Sequence, residues 1–305
     1  KGRYGMTKER IGFIGLGIMG KRMALNLLKA GYFMTIRSGS EETRKEFAAR
    51  GVRVVDTPSG VAAESDVIIT MLPGSTEVEE VYLGEQGILR SVREGSVCID
   101  TSSIDPVTAV RIASELRKKG VAMLDAPVSG GQEKAESGTL SIMAGGDEPV
   151  FERCLGILKS MGRDVVLVGG PGAGQIAKLA NQCIVAVNMA IVGEAMCLGK
   201  KAGVDPRKIF QAIRGGLAGS QCMTDKAPRM FSGDYTPGGK MWLHVKDLKN
   251  VMTACREYGV AMPLTESVLA MMEDVVRDWG PDTDHGGVAK YFEKLNGVSL
   301  VTKDS

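Results

Sequence analysis

The chain has 305 residues, of which 44% are hydrophobic and 24% charged, a length and composition that predict a soluble globular protein of two domains. Its net charge of +2 argues against nucleic acid or an anionic membrane as a partner. The six cysteines form no CxxC pair, which indicates reduced thiols in the cytoplasm and neither a disulfide framework nor a metal site. No uninterrupted apolar run of membrane-spanning length is found.

A glycine-rich turn near the start of the chain organises the first half. The apolar run IGFI at 11–14 leads into GLGIMG at 15–20, and a helical pattern follows at 21–30. A GxGxxG segment placed between a strand and a helix is typical of dinucleotide binding. We therefore predict a dinucleotide site at this turn.

Each glycine of the turn has an expected role. Gly15 permits the tight turn, Gly17 lets the backbone approach a pyrophosphate, and Gly20 lets the helix pack close to the strand. The helix start offers free N–H groups and the positive end of its dipole to the phosphates. The predicted pyrophosphate contacts are Gly15, Gly17, Ile18, Met19 and Gly20.

The residues after the second predicted strand, 33–36, bear on the choice of nicotinamide cofactor. An acidic residue about 20 positions past the glycine turn binds the ribose of NAD, whereas a basic residue suits the 2′-phosphate of NADP. Arg37, Ser38 and Ser40 stand there, and the nearest carboxylate is Glu41. This favours NADP over NAD, although an Arg37 that only covers the adenine would allow either cofactor.

The first half alternates strands with helices, which predicts a doubly wound, mainly parallel α/β sheet. A turn at its carboxyl edge, where ligands of such sheets bind, is predicted at Leu72-Pro73-Gly74, and Met71, Leu72 and Pro73 are candidate cofactor contacts. The remaining predicted strands are 52–55, 66–71, 97–100, 122–125, 140–144 and 164–168, and the remaining predicted helices are 41–50, 58–63, 106–119 and 149–161.

The segment APVSGG at 126–131 interrupts this alternation. Ser129 offers a hydroxyl, and Gly130 and Gly131 offer bare N–H groups, which together can bind a carboxylate. An ordinary loop before the next strand is the alternative.

A second domain follows the glycine-rich break at 169–174. The predicted boundaries are 10–170 for the dinucleotide-binding domain and 171–305 for an all-α helical domain. The helix predicted over 175–202 is apolar on more than one face, so it should be buried between domains or subunits. The later predicted helices are 206–214, 224–231, 244–258, 264–278 and 285–296.

Polar residues near the start of the long helix share one face. Lys178, Asn181 and Gln182 are three and four positions apart. An ammonium group there can stabilise negative charge that develops on a carbonyl oxygen, with amides to orient the substrate. The alternative is a lysine that extends to solvent from a helix end.

Other polar residues of the second half have plainer interpretations. His244 and His285 have no second histidine at metal-ligand spacing and no evident carboxylate partner, so both are expected to be structural. Lys246 and Asp247 are expected on an exposed helix face.

Taken together, these motifs resemble the β-hydroxyacid dehydrogenase family over nearly the whole chain from Arg10. The resemblance rests on GFIGLGIMG at 12–20, MLP at 71–73, DTSSID at 100–105, DAPVSGG at 125–131, GAGQIAKLANQ at 172–182 and KDL at 246–248. It implies a Rossmann domain joined to a helical domain, an NAD(P) cofactor, and a homodimer or homotetramer. It also implies oxidation or reduction at C3 of three- or four-carbon acids.

The resemblance assigns roles to individual residues. Lys178 matches the catalytic lysine, and Ser129, Gly130 and Gly131 match the carboxylate-binding turn. Ser103 matches a residue near the nicotinamide, and Lys246 matches a lysine that contacts the cofactor.

Relatives often carry asparagine four positions after the catalytic lysine. Here Asn181 lies three positions and Gln182 four positions after Lys178, so both are candidates for substrate binding.

The expected reaction is reduction of a short 3-oxo acid with Lys178 as general acid and, in reverse, general base. The segments 212–220, 243–248 and 284–297 resemble family members that reduce tartronate semialdehyde, so the resemblance implies this compound as the favoured substrate. Oxidation of 3-hydroxyisobutyrate, or reduction of another short semialdehyde, is the alternative, and a non-catalytic NADP-binding regulatory protein is a weaker one. No metal is expected.

Overall fold

A computed structural model describes residues 8–302, which divide into two compact units between Lys178 and Leu179. The N-terminal unit contains a mixed sheet with helices between its strands. The strands are Ile11–Ile14 (β1), Met34–Arg37 (β2), Arg53–Val54 (β3), Val67–Thr70 (β4), Val97–Asp100 (β5), Ala122–Asp125 (β6), Val128–Ser129 (β7), Leu140–Gly145 (β8) and Gly162–Gly169 (β9).

The first six strands are parallel in the order β3-β2-β1-β4-β5-β6, and β8 joins β6 in the antiparallel sense. The order reverses between β1 and β4, which defines the crevice at which doubly wound sheets bind ligands. The predicted fold class is confirmed. The helices of this unit are Ile18–Lys29 (α1), Glu41–Ala49 (α2), Pro58–Glu64 (α3), Ser75–Leu83 (α4), Pro106–Arg117 (α5), Gly131–Ser137 (α6) and Glu148–Lys159 (α7), with a 3₁₀ turn at Ile88–Arg90.

Side chains of the central strands alternate between two apolar cores. Val67 and Ile69 belong to one cluster, and Ile68 between them belongs to the other. Successive strand residues point to opposite faces, so a strand covered by helices on both sides must be apolar throughout. This is why β1 and residues 67–69 of β4 appear in the sequence as apolar runs.

The segment expected to be a turn at 126–131 has more structure than predicted. Residues Val128–Ser129 pair with β8 as the short strand β7, and helix α6 begins at Gly131. Gly130 has φ of +137°, a conformation that glycine adopts most readily, and it connects the two elements. Because Ala135 is the buried residue of α6, the pattern carried almost no helical signal.

The C-terminal unit is helical and has its own apolar core. The helices are Ala173–Lys201 (α8), which contains the chain boundary between the units, Pro206–Ile213 (α9), Gln221–Ser232 (α10), Met241–Tyr258 (α11), Pro263–Trp279 (α12) and Ala289–Asn296 (α13), the last preceded by a 3₁₀ turn at His285–Val288.

Among the described residues, helix α8 is the one that bears on the expected absence of a membrane-spanning run. It is long and apolar enough to pass for a membrane span by length and composition, although no spanning run was expected, and 56% of its most apolar stretch is buried within the protein. A core helix of a large fold meets the same criterion, so this feature is weak support for a membrane span.

Candidate active site

The backbone of the glycine turn after β1 accepts only glycine at two positions. Gly15 has φ of +96°, and a Cβ there would overlap the carbonyl oxygen of Met71. A Cβ at Gly20 would overlap the carbonyl oxygen of Gly15. A Cβ at Gly17 would meet no described atom within 4 Å, so the backbone at Gly17 is open to a ligand.

Helix α1 begins immediately after this open position, with Gly17 as its N-cap and no acidic residue in its described first turn. Its first intrahelical bond runs from the Lys21 N–H to the Gly17 carbonyl, so the N–H groups of Ile18, Met19 and Gly20 have no acceptor within the helix. Such N–H groups and the helix dipole favour an anion. The residues present therefore fit a dinucleotide pyrophosphate.

The residues expected at the cofactor ribose lie at the carboxyl end of β2. Arg37 is in register with Ile14, the last residue of β1. The Ser38 Oγ accepts a hydrogen bond from the Ser40 N–H at 3.2 Å, and the Ser40 Oγ accepts one from the Thr43 N–H at 3.3 Å and so caps α2. Each hydroxyl keeps its own proton to donate to a phosphate.

The loops that follow β4 and β5, at the carboxyl edge of the sheet, are connected by hydrogen bonds to one buried carboxylate, Asp100. The Ser102 Oγ donates to Asp100 at 2.6 Å and accepts from the Leu72 N–H at 2.8 Å, while the Thr70 Oγ donates to Asp100 at 2.7 Å. Asp100 was not among the predicted site residues; its only signal in the sequence was a carboxylate at the end of the apolar strand VCID. These loops carry the predicted cofactor residues Met71, Leu72, Pro73 and Ser103.

The buried state of Asp100 predicts how stability depends on pH. Burial raises the pKa of Asp100 to about 6, against hydrogen bonds from Ser102 and Thr70 that favour the carboxylate. This pKa lies above the pKa of about 4 that an aspartate has in the unfolded chain. Asp100 therefore makes its full contribution to stability below about pH 4, and that contribution is lost as the pH rises through about 6. The neutral Asp100→Asn variant should therefore gain about 3 kcal/mol in unfolding free energy relative to wild type between pH 4 and pH 7.

Urea unfolding of both proteins across that pH range measures the difference. A difference that stays constant from pH 4 to pH 7 would contradict the assigned protonation of Asp100.

Lys178 lies beside the predicted carboxylate-binding turn. Its side chain is buried, with 8% exposed, and its Nζ donates to the Val128 carbonyl at 2.9 Å. Val128 directly precedes Ser129, and Gly130 and Gly131 both have positive φ. The alternative of a lysine extending to solvent is therefore wrong, because the ammonium is held inside the N-terminal unit.

A second buried carboxylate fixes the start of α8. Asp125, at the end of β6, accepts hydrogen bonds from the Gly172 N–H at 2.7 Å and from the Gln175 N–H at 2.9 Å. Burial raises the pKa of Asp125, and these two N–H groups oppose the rise. Neither Asp125 nor Gln175 was among the predicted site residues; their only signals were a carboxylate at the end of the predicted strand 122–125 and a glutamine at the start of the predicted helix 175–202.

In the C-terminal unit, Asn181 and Gln182 belong to a polar network. The Asn181 Nδ2 donates to the Gln182 Oε1 at 2.9 Å, and the Gln182 Nε2 donates to the Asp247 Oδ2 at 2.6 Å. Lys246 forms an ion pair with Asp247, with 3.0 Å between Nζ and Oδ1. Asp247 is buried, so the expectation that it lies on an exposed helix face is wrong. Gln182 and Lys246 supply the partners that a buried carboxylate needs.

The two histidines are in contact, which their separation in the sequence did not suggest. The Nδ1 atoms of His244 and His285 are 3.0 Å apart, and the His244 Nε2 lies 3.2 Å from the Gln182 carbonyl oxygen. A carbonyl oxygen only accepts, so the His244 Nε2 carries a proton and, in the neutral ring, the His244 Nδ1 accepts from His285. Their structural role stays a prediction.

Comparison with known protein families identifies the class of enzyme to which the chain belongs. Residues 10–170 match the family described as the NAD binding domain of 6-phosphogluconate dehydrogenase. Residues 172–292 match the family described as NAD-binding of NADP-dependent 3-hydroxyisobutyrate dehydrogenase. With the doubly wound sheet and its glycine turn, these matches make the chain an NAD(P)-dependent oxidoreductase, as predicted.

Individual relatives refine this class. The 2-hydroxy-3-oxopropionate reductase of Escherichia coli (strain K12) is 39% identical, over 94% of this chain and 98% of the relative. The 2-(hydroxymethyl)glutarate dehydrogenase of Eubacterium barkeri is 37% identical over 95% and 97%. The solved Mycobacterium tuberculosis 3-hydroxyisobutyrate dehydrogenase with L-serine has a TM-score of 0.86 at 31% identity, covering 93% and 99%. The chain belongs to the β-hydroxyacid dehydrogenase family, which confirms the resemblance.

Proposed function

We propose that the protein reduces a short 3-oxo acid, with tartronate semialdehyde to glycerate as the first choice. The observation that carries this proposal is the buried Lys178 ammonium, bonded to the Val128 carbonyl next to Ser129. A buried cation beside a turn rich in N–H groups suits a substrate that carries a carboxylate next to a reacting carbonyl. The name of the 39% identical relative supports the choice of tartronate semialdehyde.

Each residue of the turn has a task in this mechanism. The Ser129 hydroxyl and the N–H groups of Gly130 and Gly131 bind the substrate carboxylate, and a Cβ at Gly131 would meet no described atom within 4 Å, so a ligand can approach the backbone. The glycine turn from Gly15 to Gly20 would hold the reduced nicotinamide cofactor, which would supply the hydride. The Lys178 ammonium polarises the carbonyl oxygen and gives it a proton, so the product is the hydroxy acid.

Of the two candidate amides, we propose Asn181 as the one that binds substrate. Gln182 is buried, its Nε2 donates to Asp247, and its Oε1 accepts from Asn181. Asn181 is only partly buried and follows Lys178 by three positions on α8, which puts it on the same helix face.

For the cofactor we propose NADP over NAD. Arg37 supplies a guanidinium at the carboxyl end of β2, and Ser38 and Ser40 supply hydroxyls beside it. A guanidinium pairs well with a phosphate, and this is the position at which NADP-binding proteins accommodate the 2′-phosphate.

The experiment is a steady-state panel of four aldehydes, each with NADH and with NADPH: tartronate semialdehyde, methylmalonate semialdehyde, succinic semialdehyde and sulfolactaldehyde. We expect the highest kcat/KM with tartronate semialdehyde and NADPH. A higher value with methylmalonate semialdehyde would favour a 3-hydroxyisobutyrate dehydrogenase. No turnover with any aldehyde would favour a non-catalytic NADP-binding protein.

We also propose a homodimer or homotetramer in which α8 contacts a second copy. Ile184, Ile191 and Leu198 are 63%, 51% and 75% exposed and recur every seven residues, the spacing of a helix seam that packs on another helix. Light scattering after gel filtration should show an oligomer, and Ile191→Lys should shift it toward monomer. The matched control is Leu295→Lys, at an apolar residue 69% exposed on α13, which should leave the mass unchanged. A monomeric wild-type protein would contradict the proposal.

The cytoplasm is the compartment we propose. All six cysteines are free, and burial raises the pKa of Cys154 to about 12, which keeps that thiol protonated. Free thiols are usual in a reducing compartment.

A further inference from the structure

One side chain in the N-terminal unit bonds to backbone groups on both sides of Ser103. Gln175 has no exposed surface; its Nε2 donates to the Ser102 carbonyl at 2.8 Å and its Oε1 accepts from the Ile104 N–H at 3.1 Å. The carboxamide therefore satisfies both backbone groups in the manner of a neighbouring strand. Without it, both groups would be buried and unpaired, which costs about 1–3 kcal/mol for each group.

The loop that Gln175 holds lies at the ligand-binding edge of the sheet. Ser102, Ser103 and Ile104 follow β5, whose carboxyl end lies beside that of β4 in the parallel sheet. The Ser102 hydroxyl also accepts from the Leu72 N–H of the loop after β4. Fixing Ser102 and Ile104 therefore fixes Ser103 between them, at the carboxyl edge of the sheet on which a dinucleotide would lie.

The same residue belongs to the helix that carries the proposed general acid. Gln175 lies in the first turn of α8, where its own N–H donates to Asp125 at 2.9 Å. Lys178 follows three positions later on the same helix face, with its Nζ on the Val128 carbonyl. Gln175 thus connects the Ser103 loop on one side with the Lys178 ammonium on the other.

We propose that Gln175 is a positioning residue, which holds the Ser103 loop and Lys178 at the distance that hydride and proton transfer require. The inference rests on the proposed function, in which Lys178 protonates the carbonyl oxygen. Misplacement of reacting groups by about 1 Å can cost on the order of 100-fold in rate. Loss of Gln175 should therefore lower kcat far more than it changes substrate KM.

The first test replaces the carboxamide by an apolar side chain of similar length. Gln175→Met should lower kcat about 10-fold to 100-fold and leave KM for the aldehyde within about threefold. In the cofactor-free protein, amide hydrogen exchange at Ile104 should become faster, because its acceptor is lost. The matched control is Gln211→Met, at an exposed glutamine on α9, which should change neither quantity.

The second test uses a side chain of nearly the same shape. In Gln175→Glu, a protonated carboxyl can donate to the Ser102 carbonyl and accept from the Ile104 N–H, whereas the carboxylate can only accept. Burial raises the pKa of such a carboxyl, so the ratio of variant to wild-type kcat should rise as the pH falls. Asp100, Asp125 and Lys178 are present in both proteins, so their own contributions to the pH dependence largely cancel in this ratio.

Three results distinguish failures of the two proposals. Wild-type protein inactive with every aldehyde overturns the proposed function. Active wild type, with Gln175→Met within twofold of it in kcat, overturns the positioning role even if exchange at Ile104 is faster. A pH-independent ratio for Gln175→Glu also overturns it, because the hydrogen-bonding pair would then not matter.

Discussion

Replacing Lys178 by alanine is expected to lower kcat for the preferred semialdehyde by about 100-fold or more, the range of a lost general acid. The Lys178 side chain is buried and its Nζ donates to the Val128 carbonyl, which suits the proposed role of stabilising charge on the substrate oxygen. Steady-state turnover with all four aldehydes measures the loss. Near-full turnover of the variant with its best aldehyde would remove Lys178 from the mechanism.

Two further variants separate the causes of that loss. Lys178→Met keeps the aliphatic stem and fills most of the buried volume, so it should show the same loss in kcat with less loss of stability. Lys178→Arg keeps the positive charge but cannot give up a proton at ordinary pH, so it should recover only the electrostatic part. The control Lys201→Ala, in the last turn of the same helix, should turn over like wild type.

Replacing Gly20 or Gly17 of the glycine turn by alanine should affect different properties. Gly20→Ala should mainly lower stability, whereas Gly17→Ala should mainly weaken cofactor binding. Gly20→Ala should lower the unfolding free energy by about 2 kcal/mol or more, because its Cβ would overlap the carbonyl oxygen of Gly15, a backbone atom with little freedom to move. Gly17→Ala should cost about 1 kcal/mol or less, since its Cβ meets no described atom within 4 Å.

Cofactor binding, by contrast, should be strongly weakened in the Gly17→Ala variant. A methyl group at Gly17 occupies the space that a pyrophosphate needs, so the Kd for NADPH should rise about tenfold or more, which is about 1.4 kcal/mol. Fluorescence titration with NADPH and urea unfolding of the cofactor-free protein give the two quantities. If Gly17→Ala binds NADPH like wild type, the phosphates do not lie at this turn.

Local patterns in the sequence were enough for most of the first domain. The strands Ile11–Ile14, Val97–Asp100 and Ala122–Asp125 match the predicted ones to the residue, because strands buried on both faces appear as short apolar runs. The helix Ser75–Leu83 was not predicted, since only Val78, Val81 and Tyr82 mark its buried face. Short helices leave too few turns for a clear period.

By itself the sequence determined the doubly wound sheet, the glycine turn, the helical second half and the family, because each depends on residues close together in the chain or on short motifs. Only the tertiary structure decided that Lys178 is buried and that Asp247 is not on an exposed face. It also decided that Gln175 forms hydrogen bonds to the residues on either side of Ser103. The bond from Gln175 to Ser102 joins residues 73 positions apart. A buried polar group must find a partner, but nothing in the local pattern names that partner until the chain has folded.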